Sequence, residues 1–343
     1  MKKSKWIEGL DCAATPRAGV AFVLRAKLDR MCALRDAALD FTDIEGVHKM
    51  RVASRRLRSA LRDFQPYLAR PVSPERLKAV ARALGAVRDE DVAIEMMERL
   101  VEEADEEARE GIKRLAFKRR ARREEARAAL VTAISDAALT ELREKFNAQL
   151  DRAAAETAAE GGRRGQGEAA GAARFSDVGG EVVGARFREL KESGRSLYRP
   201  FDVEELHETR IRAKRLRYAI ELFTQCWGET VAPYAAEVEK LQEYLGELHD
   251  CDVWIAELGK RLGKGGRKGA TRLSSSQAAE RRAAVWLMGH FARERAKHYG
   301  KALALWDSWE AMDFASGLAA SVEEGRARSD PPAPEAETAA KVD

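Results

Sequence analysis

Val47-His48-Lys49-Met50-Arg51-Val52-Ala53-Ser54-Arg55-Arg56-Leu57-Arg58-Ser59-Ala60-Leu61-Arg62-Asp63-Phe64 returns 159 residues later as Leu206-His207-Glu208-Thr209-Arg210-Ile211-Arg212-Ala213-Lys214-Arg215-Leu216-Arg217-Tyr218-Ala219-Ile220-Glu221-Leu222-Phe223. Seven of the eighteen positions are identical, and Lys214 keeps the charge of Arg55. At 100° per residue, with His48 at zero, Arg51, Arg55, Arg58 and Arg62 fall at about 300°, 340°, 280° and 320°. Met50, Ala53, Leu57, Ala60, Leu61 and Phe64 occupy the opposite, core-facing stripe. His207, Arg210, Lys214 and Arg217 repeat the cationic arc, with Leu216, Ala219, Ile220 and Phe223 behind it. Like charges at i,i+3 and i,i+4 repel, so such a rail calls for an anion along it. Guanidinium forks suit phosphate oxygens, and histidine adds a donor whose charge depends on pH. Arg56 and Arg215 lie off the arc, at about 80°, and are read as salt-bridge residues.

The echo extends outward. Leu84-Gly85-Ala86-Val87-Arg88-Asp89-Glu90-Asp91-Val92 matches Leu245-Gly246-Glu247-Leu248-His249-Asp250-Cys251-Asp252-Val253, and Lys27 and Arg186 each stand 21 residues before their histidine. Three consecutive helices repeating in order point to a duplicated domain. The expected fold is all-α, with two similar halves of about four helices each. Hydrophobic content of 45%, charged content of 34% and nine prolines in 343 residues fit soluble amphipathic helices.

Start and stop signals predict helices over about 15–38, 45–68, 75–101 and 104–157 in the first half. In the second half they predict helices over about 178–196, 203–225, 231–260 and 275–312. The domain reading is an N-terminal segment 1–14, a first half 15–158, a flexible glycine-rich linker 159–176, a second half 177–314 and a disordered tail 315–343. Gly263-Lys264-Gly265-Gly266-Arg267-Lys268-Gly269 is expected to form a basic glycine loop.

A formal net charge of +4 does not by itself announce a polyanion binder, so the case rests on local placement. Arg114, Lys118 and Arg122, in the densest basic run, stand at i, i+4, i+8 and are candidates for another wall of the same groove, against solvation of a plain helix face. Arg293, Lys297 and Lys301 have the same spacing. Cys12, Cys32, Cys226 and Cys251 lie far apart without CxxC spacing, which argues against structural zinc and against a disulfide scaffold, and favours a reduced cytoplasmic compartment. Met1-Lys2-Lys3-Ser4-Lys5 resembles a signal-peptide start, but Glu8 and Asp11 interrupt the apolar run. His249-Asp250-Cys251-Asp252 fits no closed metal site, so no metal and no cofactor is expected. Trp286, Trp306 and Trp309 are read as core, and His290 and His298 are given no role.

A duplicated helical unit whose second helix begins His-x-x-Arg-x-x-x-Arg/Lys-Arg-x-Arg resembles the CHAD family, the conserved histidine α-helical domain. His48, Arg51, Arg55, Arg56, Leu57 and Arg58 fit it, as do His207, Arg210, Lys214, Arg215, Leu216 and Arg217. So do Leu84-Gly85 with Arg88-Asp89-x-Asp91, and Leu245-Gly246 with His249-Asp250-x-Asp252; the resemblance covers about residues 15–312. It implies two four-helix bundles related by an internal pseudo-two-fold duplication, with a basic surface or central pore that binds inorganic polyphosphate, and association with polyphosphate granules. Some members are fused to a CYTH domain; no Glu-x-Glu-x-Lys signature occurs near the start here, so a stand-alone member is expected.

The leading expectation is a non-catalytic polyphosphate binder. Lys27, His48, Arg51, Arg55, Arg58 and Arg62 form one side of its site, and Arg186, His207, Arg210, Lys214 and Arg217 the other. Nucleic acid is the alternative partner, weakened because aromatics do not interleave with the basic runs. A phosphohistidine carrier or a phosphohydrolase is the enzyme reading. Asp89, Asp91, Asp250 and Asp252 are its only candidate metal-binding carboxylates, and salt-bridge duty explains them more simply.

Overall fold

Each motif helix begins at an aspartate, and the two aspartates occupy equivalent places in the repeat. The Asp43 carboxylate accepts from Glu45 N at 2.8 Å, and that of Asp202 from Glu205 N at 3.3 Å. These N-caps satisfy otherwise orphaned amides and set both histidines one turn into their helices. The computed structural model describes residues 6–155, 173–266 and 274–328. Its α-helices are α1 (Pro16–Cys32), α2 (Arg35–Leu39), α3 (Ile44–Phe64), α4 (Glu75–Glu103), α5 (Glu106–Ala133) and α6 (Asp136–Ala155). After them come α7 (Phe175–Ser193), α8 (Val203–Trp227), α9 (Ala232–Gly266), α10 (Ser275–Ala311) and α11 (Phe314–Arg328). No strand occurs among the described residues, and the protein is all-α.

The apolar stripe of each motif helix is the core face the periodicity predicts. Met50, Leu57, Leu61 and Phe64 of α3 and Leu216, Ile220 and Phe223 of α8 are all buried. The halves do not close separate cores. Phe64, Phe175 and Phe223 meet with ring centroids 5.0–6.2 Å apart, so one apolar core runs through both halves. A second core lies where the far ends of α4, α5, α9 and α10 pack together, around Ile112, Leu115, Leu258 and Leu287. Four long helices from the two halves thus form a distal bundle, while α3 and α8 cross the proximal body.

Several expectations are corrected. The helix expected over 15–38 stops at Cys32 and resumes as the short α2. The helix expected over 104–157 breaks at Ile134-Ser135; the Ser135 hydroxyl accepts from Ala138 N at 3.3 Å, a cap that restarts the chain as α6. Of the expected linker 159–176, residues 159–172 lie outside the described residues, but Phe175 near its end is fully buried. Of the glycine loop, 263–266 continue α9 and 267–269 lie outside the described residues. The tail is helical over Phe314–Arg328: Phe314, Leu318 and Val322 bury one stripe, and Arg326 pairs with Asp177 of α7 at 3.1 Å. Residues 329–343 lie outside the described residues.

Cys12 and Cys226 are joined by a disulfide, with Cα atoms 5.5 Å apart despite 214 residues of separation. Sequence distance had argued against it, but the fold returns α8 to the N-terminal segment. The expectation of a reduced compartment loses its support from the cysteines; Cys32 and Cys251 are buried thiols. No helix among the described residues is long and apolar enough to cross a membrane.

Candidate functional site

The cationic arcs of α3 and α8 converge. Arg55 of α3 lies close enough to Lys214 and Arg210 of α8 to oppose the charge on both. Burial, then Arg210, Arg55 and Arg51, pull the Lys214 ammonium down to about 7. Arg55 and Arg58 are likewise lowered, first by burial and then, for Arg58, by Arg62, Arg55 and Arg51. Half-buried cations that depress one another mark a region of uncompensated positive potential. Carboxylates balance it only in part: Asp89 stands 3.6 Å from Arg51, and Asp250 faces Arg210. Among the described residues Lys214 and Arg58 have no ion-pair partner within 4.0 Å.

The repeated Leu-Gly of α4 and α9 now has a physical reason. A Cβ added at Gly85 would lie 3.9 Å from Arg51 Nε, and one at Gly246 would lie 3.5 Å from Arg210 Nε. The two arginines lie across these glycines, and a larger side chain would displace them. Tyr218, where the first half has Ser59, is a second residue that the repeat did not single out. Its buried ring has Arg55, Arg56 and Arg217 over it at 5.9, 5.4 and 5.0 Å, so the aromatic face helps hold cations together between the motif helices.

The histidines sit at the ends of the cationic cluster in unlike settings. Burial and Arg88 lower the pKa of His48. His207 stacks on His249 of α9 with centroids 3.9 Å apart, and the Nδ1 atoms of both are buried without a hydrogen bond. Burial, then Arg210 and Lys214, lower His207; burial and His207 bring His249 down to about 4. Arg88 is the repeat counterpart of His249, so one end of the cluster carries a permanent charge and the other a pair of imidazoles.

The remaining candidate residues divide. Arg217 is buried and tied to Glu239, with Glu221 at 4.0 Å, so it does not line an open rail as Arg58 does. Arg62 is lowered by burial and by Arg215, and stands toward Asp63 and Arg186. Arg186 pairs with Asp63 at 3.2 Å and Glu189 at 2.5 Å. Lys27 stands on the other side of α3, beside Arg56 and Glu221, where burial and Arg56 bring it down to about 8. Arg56 pairs with Glu221 at 2.8 Å and Arg215 with Glu208 at 3.9 Å, the salt bridges expected for the off-arc positions. Arg114 and Lys118 pair with Glu110 at 3.0 Å and Glu280 at 2.6 Å, and Arg122 is exposed. Arg293 and Lys297 lie on α10, the latter 3.4 Å from Glu294, and none of these five has a rail residue as partner. Asp91 and Asp252 hold Arg123 at 3.8 Å and Arg295 at 2.5 Å, so they brace α4 and α9 against α5 and α10. Among the described residues no group of three His, Cys, Asp or Glu side chains is placed to hold a metal ion.

The class the fold defines is an all-α protein whose two echoing helices bring their cations together between long supporting helices. The CHAD domain family model matches residues 23–259, and the chain belongs to that family. Among solved structures it is similar to the CHAD domain of the plant Ricinus communis, with TM-score 0.66 and 21% identity over 88% of this chain and 95% of that one. It is also similar to PptA from Streptomyces chartreusis, with TM-score 0.58 and 15% identity over 86% of this chain and all of that one. No curated protein sequence matches the chain.

Proposed function

We propose that the protein binds inorganic polyphosphate, without chemical turnover, in the cluster formed by Arg51, Arg55 and Arg58 of α3 with Arg210 and Lys214 of α8. His48 and His207 stand at its ends, and Arg62 and Arg186 extend it toward the second half. The observation that carries this reading is the convergence of Arg55 and Arg51 of α3 with Lys214 and Arg210 of α8, where Arg55 opposes the charge on both α8 cations and Asp89, Asp250 and Glu247 are the nearby carboxylates. A flexible chain with one negative charge per phosphate matches a row of point charges and guanidinium forks, and it relieves their repulsion. Membership of the CHAD family supports the same ligand, and association with polyphosphate granules follows from it.

Binding through phosphate neutralisation falls linearly in log–log form with salt, with a slope near −0.7 per phosphate contacted for a single strand. A polyphosphate titration at two salt concentrations, with single-stranded RNA and DNA as competitors at matched phosphate, tests the reading. Polyphosphate should displace nucleic acid, and no orthophosphate should be released with magnesium present. Preferential nucleic-acid binding would assign the cluster to that partner instead, and acid-labile phosphate on His48 or His207 would assign it to a transfer enzyme.

A further inference from the structure

A second face of α3 carries its own cavity. Lys49, Val52, Ala53 and Arg56 fall at about 100°, 40°, 140° and 80° on the helix, away from the rail, and His48, at 0°, stands on the border between the two faces. Together with Ala26, Lys27, Arg30 and Leu34 they line a cavity of about 570 Å³ closed on one side by Trp6, Ile7 and Glu8. That volume lies within the range of small-molecule sites. The N-terminal segment forming the lid is fixed in place. Ile7 exchanges hydrogen bonds with the Gln225 side chain at 2.8 and 2.7 Å, and Cys12 is disulfide-bonded to Cys226. Ser176 N donates to Cys12 O at 3.1 Å and Phe175 N to Ala14 O at 2.8 Å.

The lining is two-sided. Trp6, Ile7, Leu34 and Val52 offer an apolar wall, and the Trp6 indole is 47% exposed at the lip. Lys27, Arg30 and Lys49 have no ion-pair partner within 4.0 Å among the described residues, and Glu8 is the one carboxylate in the lining. Arg56 adds a fourth cation, held by Glu221 at 2.8 Å. Lys27 is lowered to about 8 by burial, Arg56 and Arg30, which an anion would reverse. Bare phosphate uses the cations and leaves the apolar wall idle, whereas an aromatic ring carrying two or three phosphates uses both.

We infer that this cavity between the N-terminal segment, α1 and α3 binds a nucleoside di- or triphosphate, with the base against Trp6 and the phosphates on Lys27, Arg30 and Lys49. Lys27, Arg30 and Lys49 are not members of the polyphosphate cluster; His48, at its end, is the one residue that also lines the cavity.

Calorimetric titration of the full chain with ATP, ADP, adenosine and inorganic tripolyphosphate tests the inference. ATP should bind at least about tenfold tighter than either adenosine or tripolyphosphate, a difference of about 1.4 kcal/mol. Trp6→Ala and Lys49→Ala change exposed side chains, so the fold survives; each should weaken ATP at least about fivefold and leave long-chain polyphosphate affinity unchanged. Trp6→Phe should restore most of the ATP affinity. Three results would overturn the inference: ATP binding no tighter than tripolyphosphate, unchanged ATP affinity in Trp6→Ala and Lys49→Ala, or ATP affinity lost in Arg51→Ala/Arg210→Ala alone. The last would place the nucleotide on the rail, upholding the polyphosphate cluster while removing the second site.

Discussion

Arg56 of α3 donates to Glu221 of α8 across 2.8 Å, an ion pair that joins the two halves behind the cationic cluster. Glu221 is buried and also has Arg217 at 4.0 Å and the Lys27 ammonium nearby. Removing this carboxylate leaves several cations facing one another without water to screen them. Glu221→Gln should therefore cost about 3 kcal/mol of stability, the usual loss when one partner of a buried pair is removed. Urea unfolding measures it, and a loss under about 0.5 kcal/mol would show that the pair does not hold the halves together.

Gly246 tests the geometry of the rail without touching its charge. In Gly246→Leu the new side chain pushes into the space taken by Arg210, whose Nε stands 3.5 Å from where a Cβ would be. Polyphosphate affinity should fall about tenfold, one charge-assisted hydrogen bond's worth, at constant net charge. Gly246→Ala, which meets only ordinary van der Waals contact there, should lose far less.

The pH dependence follows from Lys214. Folding lowers this base from 10.5 to about 7, so between those values the folded chain holds fewer protons than the unfolded one. Through this group alone, stability of the free protein rises as pH climbs through that window. Bound polyphosphate favours the charged ammonium, so the sign for binding is opposite: affinity should grow as pH falls from 10.5 toward 7, by at most about tenfold per pH unit for one proton. Protonation of His48 and His207, both held below their ordinary value, adds a further rise below that window. Lys214→Arg should flatten the first window and keep the second, as read by titrations across the pH series.

The Cys12–Cys226 link closes a loop of more than 200 residues. Cys226→Ser should cost about 2–5 kcal/mol in chemical unfolding. Thiol counting under denaturing conditions should find two reactive thiols, Cys32 and Cys251, before reduction and four after it. Four before reduction would remove the link.

The sequence made the motif helices legible because a 3.6-residue period separates cations from core residues on one helix: Leu57 and Phe64 are buried and Arg58 is partly open, as their angles require. What depends on a second element was not legible. Arg217 repeats Arg58 in register, yet Glu239 of α9 takes it out of the rail. Lys27 and Arg186 are matched in spacing, but their neighbours Glu221, Asp63 and Glu189 come partly from other helices. The break at Ile134-Ser135 was masked by continuous helix formers on both sides, although Ser135-Asp136 is a start signal. The stripe Phe314, Leu318 and Val322 had helical spacing but was hidden by the Ala, Glu and Pro composition that follows. The His207–His249 stack needed two helices to meet.

The most direct test of the polyphosphate cluster is a titration of wild type and Arg51→Ala/Arg210→Ala with one defined polyphosphate chain at low and physiological salt. Loss of two charge-assisted contacts should weaken binding by at least about a hundredfold and flatten the salt slope by about 1.4. Equal affinity and equal salt slope in the two proteins would contradict the account.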